Sequence, residues 1–213
     1  MIKVLTVGPL AENTVLIIDE NSGEAAVIDP GAEGERILKQ LENLNLRYII
    51  ATHGHLDHVG QVGFLKERYP GVPFLISEKD LYLINNDIFP GFAQMIGAYS
   101  CPEPDKAIKE GDRIDFGRFS LSVMETPGHT PGSVCLYDEK NSFVITGDTL
   151  FKGSIGRVVL PGGDLAQMEN SLKKLMELPD DTDVVPGHGE TTKIGIERKT
   201  NPYITGNFRV DLW

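Results

Sequence analysis

Residues 52–58 read Thr52-His53-Gly54-His55-Leu56-Asp57-His58. The apolar run at 47–51 predicts a strand leading into them. The pattern at 59–68 predicts a helix leading away, stopped by Pro70-Gly71. Three histidines and a carboxylate therefore leave the end of a strand as the chain turns. In an extended segment, residues two apart project to the same side, so His53 and His55 can grip one cation together. Asp57 and His58 are adjacent and diverge unless a helix begins there, which would aim both at a second cation. Neutral imidazole is the commonest ligand for Zn²⁺ and suits related first-row metals.

The remaining histidines repeat this placement. His129 lies in Pro127-Gly128-His129-Thr130-Pro131-Gly132, after a predicted strand at 119–125. His188 lies in Pro186-Gly187-His188-Gly189, after a predicted strand at 183–185. Thr146-Gly147-Asp148-Thr149 ends another apolar strand, 143–146. Strand ends from one sheet edge can converge on one cleft. A carboxylate has two oxygens, so Asp148 can bridge two cations at the roughly 3.5–4 Å separation of two-metal hydrolases. A closed structural site is the competing reading. Such sites favour cysteine, and neither Cys101, in a loop, nor Cys135, in an apolar strand, falls in these motifs. No Gly-x-Ser-x-Gly elbow offers a side-chain nucleophile instead.

Around these motifs, strands are expected at 1–7, 14–19, 25–29, 73–76, 113–116 and 133–137. Helices are expected at 33–44, with Ile37, Leu38, Leu41 and Leu44 on one face, and at 191–199. A third follows Asp164, whose cap has Gln167 as reciprocal partner, and carries the stripe Leu165, Met168, Leu172, Leu175 and Met176. Residues 85–106 read as a long loop, with room for a broken helix and a role as a lid.

The chain has 213 residues and a formal charge of −11. That balance disfavours a nucleic-acid partner, whose binding needs clustered Lys and Arg. It admits a small anionic substrate, because bound cations reverse the field within a cleft. No run of eighteen apolar residues suggests a membrane span. The opening residues lack the layout of a signal peptide, and two cysteines make no disulfide framework and read as reduced thiols, so a cytoplasmic location is expected.

The order His-x-His-x-Asp-His, then Gly-His, Gly-Asp and Gly-His resembles the metallo-β-lactamase superfamily. The resemblance runs from Asn13 and Val27-Ile28-Asp29-Pro30-Gly31 to Asn201-Pro202-Tyr203. Residues 52–60, 128–133 and 147–151 resemble its glyoxalase II (hydroxyacylglutathione hydrolase) branch. Residues 152–157 and 161–164 look like the short, single-domain bacterial form. This implies an α/β fold: a four-layer αβ/βα sandwich of two mixed β-sheets with outer helices, over one domain, 1–213. It implies that His53, His55 and His129 hold one divalent ion, that Asp57, His58 and His188 hold a second, and that Asp148 bridges them. Zinc is the first expectation for both, with iron or manganese as alternatives.

The implied chemistry is hydrolysis of a small acyl thioester, hydroxyacyl-glutathione-like, by hydroxide generated between the ions. Asp57 would take or relay a proton. Arg157 matches the family's basic residue after Gly-Asp-Thr-Leu-Phe and would pair with a substrate carboxylate. The family's tyrosines are not matched: Val158 and Val159 stand at one place and Gly189-Glu190-Thr191 at the other. Two alternatives stay open on the same fold. One is a mononuclear-iron persulfide dioxygenase using His53, His129 and Asp148; the other is an esterase or lactonase.

Overall fold

The computed structural model describes residues 1–206, so the last seven residues of the expected 1–213 domain lie outside the described residues. Six strands form the first sheet, in chain order: β1 (Ile2–Val7), β2 (Glu12–Ile18), β3 (Glu24–Ile28), β4 (Asn45–Ile50), β5 (Phe74–Ile76) and β6 (Lys106–Ala107). The first three run antiparallel and the last three join in parallel, so the sheet is mixed. The second half supplies β7 (Arg113–Phe116), β8 (Phe119–Glu125), β9 (Val134–Asp138) and β10 (Phe143–Gly147). A two-strand ribbon, β11 (Leu150–Phe151) and β12 (Ser154–Ile155), follows. Then come β13 (Asp183–Pro186) and β14 (Thr192–Lys193). The second sheet has the order β14-β13-β10-β9-β8-β7, and only the β10–β13 pair is parallel.

Strand periodicity explains the layers. Along β2, Val15 and Ile17 point between the sheets with Ile28, Ile50, Leu121, Phe143 and Ile145. Leu16 and Ile18 point the other way, into a cluster with Ile37 and Leu41 of α1 (Gly34–Leu41). Successive side chains face opposite sides of a sheet, so a strand apolar at every position must be covered on both. On the outer face of the second sheet, Met168, Leu172 and Leu175 of α5 (Leu165–Leu175) cover Cys135, Val144 and Val184. The result is helix, sheet, sheet, helix. Phe143→Ala would open the central layer at a cost of about 3–5 kcal/mol.

Several boundaries differ from the periodic reading. The helix expected over 33–44 stops at Leu41, because Asn43 adopts a left-handed conformation (φ 65°) and β4 starts pairing with β3 at Asn45. The helix expected over 59–68 is two helices: α2 (Leu56–Val59), starting earlier, and α3 (Val62–Arg68). The break falls where the Gln61 amide donates to the Pro30 carbonyl. Within 85–106 a short α4 (Phe92–Ile96) forms. The last expected helix begins only at α6 (Ile194–Thr200), because Thr192 and Lys193 pair with β13; α7 (Pro202–Thr205) follows. Asp164 caps α5 as expected, accepting from the Gln167 amide (3.0 Å). The Gln167 side chain returns to the Asp164 carboxylate rather than its backbone N–H, which already donates to Gly128.

Candidate metal centre

The loops that follow β4, β8, β10 and β13 bring all seven predicted ligands together at one edge of the sandwich. Helix α2 starts immediately after His55, whose backbone is still extended (φ −67°, ψ 146°). That switch answers the divergence of Asp57 and His58: the extended part presents His53 and His55 together, and the first helical turn redirects the next pair.

Two clusters result. In the first, His55 Nδ1 lies 3.1 Å from His53 Nε2 and 2.9 Å from His129 Nε2. In the second, His188 Nε2 lies 3.3 Å from His58 Nε2 and 3.4 Å from an Asp57 oxygen. Asp148 stands between them. Its Oδ1 is 3.5 Å from His58 Nε2, and its Oδ2 is 3.5 Å from His129 Nε2 and 3.7 Å from His188 Nε2. A residue larger than glycine at 187 would put its Cβ 2.3 Å from Asp148 Oδ1, so Gly187 keeps this carboxylate in place.

The outer hydrogen bonds set the tautomers. His129 Nδ1 faces the Arg157 carbonyl (2.7 Å) and His188 Nδ1 the Leu10 carbonyl (3.0 Å). A carbonyl only accepts, so both Nδ1 atoms carry the hydrogen and both Nε2 atoms present a lone pair. His58 Nδ1 donates likewise to Asp29 (3.0 Å). Thr52 spends its hydroxyl hydrogen on Asp29 (2.7 Å) and accepts from His53 Nδ1 (3.2 Å). In their neutral form, four imidazoles thus aim lone pairs inward. His55 Nε2 and Asp148 Oδ1 are buried with no hydrogen-bond partner among the described residues. Converging lone pairs and the orphaned buried Asp148 oxygen are costly unless a cation satisfies them, so the donor set fits divalent metal ions.

The electrostatics of the clusters differ. Burial, then the neighbouring His129, pushes His55 down to about 3, and burial drives His53 well below its ordinary value. Burial also opposes charge on His58, but Asp148, Asp29 and Asp57 outweigh it and raise that imidazole well above its ordinary value. His188 moves up for the same reason: burial is overcome by its bond to Asp57 and the charge of Asp148. Asp57 is held below the usual carboxylate range, as His58 and His188 overcome the effect of burial.

A cleft of about 480 Å³ opens onto the clusters, reaching His55, Asp57, His129, Asp148 and His188. His53 and His58 lie beneath, fully buried. Arg157 lines the cleft, so the eighth predicted residue shares the site. The 85–106 loop supplies one wall through Asn86, Ile88, Phe89, Phe92 and Met95.

Sequence reasoning missed the carboxylates behind the ligands. Asp29 accepts from His58, the Thr52 hydroxyl and the Thr52 amide (2.7 Å); its signal was an apolar strand ending in Asp-Pro-Gly. Asp80, fully buried, accepts from the Gly54 amide (2.9 Å), the Thr130 hydroxyl (2.6 Å) and the Gly132 amide (2.7 Å). It ties the His53–His55 loop to the His129 loop. Its neighbours Glu78 and Lys79 are exposed and give no hint of this. Asn13 holds the His188 loop through the Pro186 (3.1 Å) and Gly189 (2.9 Å) carbonyls.

Known proteins share this arrangement of sequence and fold. The hydroxyacylglutathione hydrolase GloC of Haemophilus influenzae is 36% identical over 209 residues, covering 95% of this chain and 97% of its own. The crystal structure of the BLEG-1 B3 metallo-β-lactamase superposes with a TM-score of 0.87 at 34% identity, over 97% of this chain and 100% of that one. TTHA1623, solved in a di-iron-bound form, superposes with a TM-score of 0.84 at 39% identity, over 94% and 99%. Residues 7–188 match the family model of the metallo-β-lactamase superfamily, and the chain belongs to that superfamily.

Proposed function

We propose that the protein is a binuclear metallohydrolase of small acyl thioesters, hydroxyacyl-glutathione-like. The observation that carries this reading is Asp148, whose two oxygens face histidines of different clusters. His53, His55 and His129 would hold one ion and Asp57, His58 and His188 the other, with Asp148 shared. Bound there, two divalent cations supply an acidified water and positive charge for a developing oxyanion. Zinc suits imidazole and carboxylate donors, and the di-iron relative keeps iron among the candidates.

The chain's own groups supply the rest. Asp57 lines the cleft at the metal edge, where it would take or relay a proton as water attacks the carbonyl. The Nδ1–H bonds to Arg157, Leu10 and Asp29 lock three rings in orientation, which fixes the lone pairs before substrate arrives. The apolar wall from the 85–106 loop limits bulk water, and the Arg157 guanidinium would orient a substrate carboxylate.

The test is metal analysis of protein purified without added metal, followed by assay of that sample on lactoylglutathione. Two divalent ions per chain with turnover are expected. Two bound ions with no turnover of any thioester would overturn the reading. Oxygen consumption on glutathione persulfide by an iron-loaded sample would transfer the protein to the dioxygenase branch.

A further inference from the structure

The two ends of the cleft differ chemically, and each end is anchored to a different ligand histidine. The Arg157 carbonyl accepts from His129, which anchors Arg157, the one Arg or Lys among the residues lining the cleft, beside the first cluster. The Leu10 carbonyl accepts from His188, and the Phe151 ring lies 6.0 Å from the His188 ring, edge to face. Leu10 and Phe151 are therefore beside the second cluster. The 85–106 loop adds Phe89 and Met95 to the same cleft.

Leu10, Phe89 and Met95 are 50%, 51% and 62% exposed. Single exposed apolar side chains are ordinary. Several that converge on one concave surface, continuous with the reactive edge, mark a ligand surface. Ionised groups line the metal edge and Arg157 stands at one end, so apolar surface is left for the part of a substrate that lies beyond His188.

We propose that this end takes an apolar acyl chain, so that among acyl thioesters of an anionic thiol those with longer aliphatic or aryl acyl groups are preferred over short ones. The proposal rests on the thioesterase reading and on its placement of the anionic carrier at Arg157. The carrier's carboxylate faces Arg157, the scissile carbonyl lies over Asp148, and the acyl chain runs past His188 along Leu10 and Phe151 toward the apolar wall that carries Phe89 and Met95. Burial of each methylene then favours longer chains by about fourfold until the end is filled.

The experiment uses metal-loaded full-length protein with two readouts. The first is calorimetric binding of S-methylglutathione and S-hexylglutathione, which are not hydrolysed. The second is kcat/KM for acetyl-, butanoyl- and hexanoyl-glutathione. S-hexylglutathione should bind at least tenfold more tightly, and kcat/KM should climb along the series through KM. Phe89→Ala and Met95→Ala change exposed side chains, so the fold tolerates them. The double variant should lose most of the hexyl preference, with a much larger loss on hexanoyl- than on acetyl-glutathione. Equal binding of the two S-alkyl ligands, or equal losses on the two thioesters, overturns the proposal. A retained hexyl preference without any thioester turnover overturns the hydrolase reading and leaves the apolar end standing.

Discussion

The two halves of the centre share Asp148 but are built on opposite electrostatic plans. Around His53, His55 and His129, burial and the neighbouring imidazoles outweigh the nearby carboxylates, Asp57 beside His55 among them, and keep His53 and His55 neutral. Around His58 and His188 stand Asp57 and Asp148, with Asp29 behind His58, and these carboxylates favour the imidazolium. His53 and His55 are preorganised as neutral donors. The second half attracts any cation, and the proton is one of them. Affinity at the two halves should therefore respond differently to mutation and to acid.

The strongest test removes what the halves share. Asp148→Ala leaves each cluster three ligands and no bridge. It should lose at least one ion, and most hydrolytic activity with it. The loss should exceed the roughly 10–100-fold in affinity or activity typical of mutating an outer partner of a metal ligand. Metal analysis after gel filtration reads this directly. Retention of both ions would remove the bridging role and with it the carrying observation of the proposed function.

Acid should separate the halves. Ligating imidazoles must be deprotonated, so protons compete with the metal. In the metal-free protein His58 and His188 hold protons up to pH values above the ordinary 6.5. Their affinity for metal then begins to fall while pH is still above 6.5, and falls further as pH drops. His55 holds no proton until about pH 3, and His53 binds one only well below 6.5. Stepwise acidification should release the ion of the Asp57, His58 and His188 cluster first. Stoichiometry by metal analysis, with imidazole ¹⁵N spectra to identify the released ligands, checks the order. Release from the His53, His55 and His129 cluster first would break the comparison.

What the sequence could show follows the same division between groups that touch a cleft and groups that stand behind it. The ligand motifs were legible because each is a short polar block at the end of an apolar strand, and strand ends meet at a sheet edge. The strand at β2 was legible from its apolar run, Val15 to Ile18; that the polar Glu12, Asn13 and Thr14 before it are buried as well was not. The register of short edge pairs was not: Thr192 and Lys193 carry a helical pattern forward, and only pairing with β13 makes them a strand. Asp80 was illegible for a related reason. Its three partners come from two loops 26 to 52 residues away, and no local periodicity encodes that distance.

Asp80 therefore offers a finer test of the comparison. Its carboxylate joins the His53–His55 and His129 loops and touches none of the second cluster's residues. Asp80→Asn replaces one acceptor oxygen with an NH₂ that must face a donor. Affinity at the first cluster should fall by about 10–100-fold, with a much smaller change at the second. Chelator competition measures both, and a thermal melt controls for folding. An equal fall at both clusters would make Asp80 a general support of the fold rather than a positioning residue for one half.

The smallest expected effect concerns Arg157, which accepts from His129 through its backbone and is proposed to face substrate through its side chain. The backbone role belongs to its carbonyl and survives Arg157→Ala, so the substitution isolates the guanidinium. That side chain is exposed, and solvent screens a charge pair there to roughly 0.2–1 kcal/mol. Arg157→Ala should accordingly raise KM for anionic lactoylglutathione by no more than about fivefold, leave kcat nearly constant, and spare a neutral thioester of N-acetylcysteamine. The effect should shrink with added salt, since exposed pairs are screened over about 10 Å at 0.1 M. Arg157→Lys should recover part of it, because the charge returns without the planar fork. Equal KM changes for the anionic and neutral thioesters would take Arg157 out of the binding site, and the polar end of the cleft would then need another cation to define it.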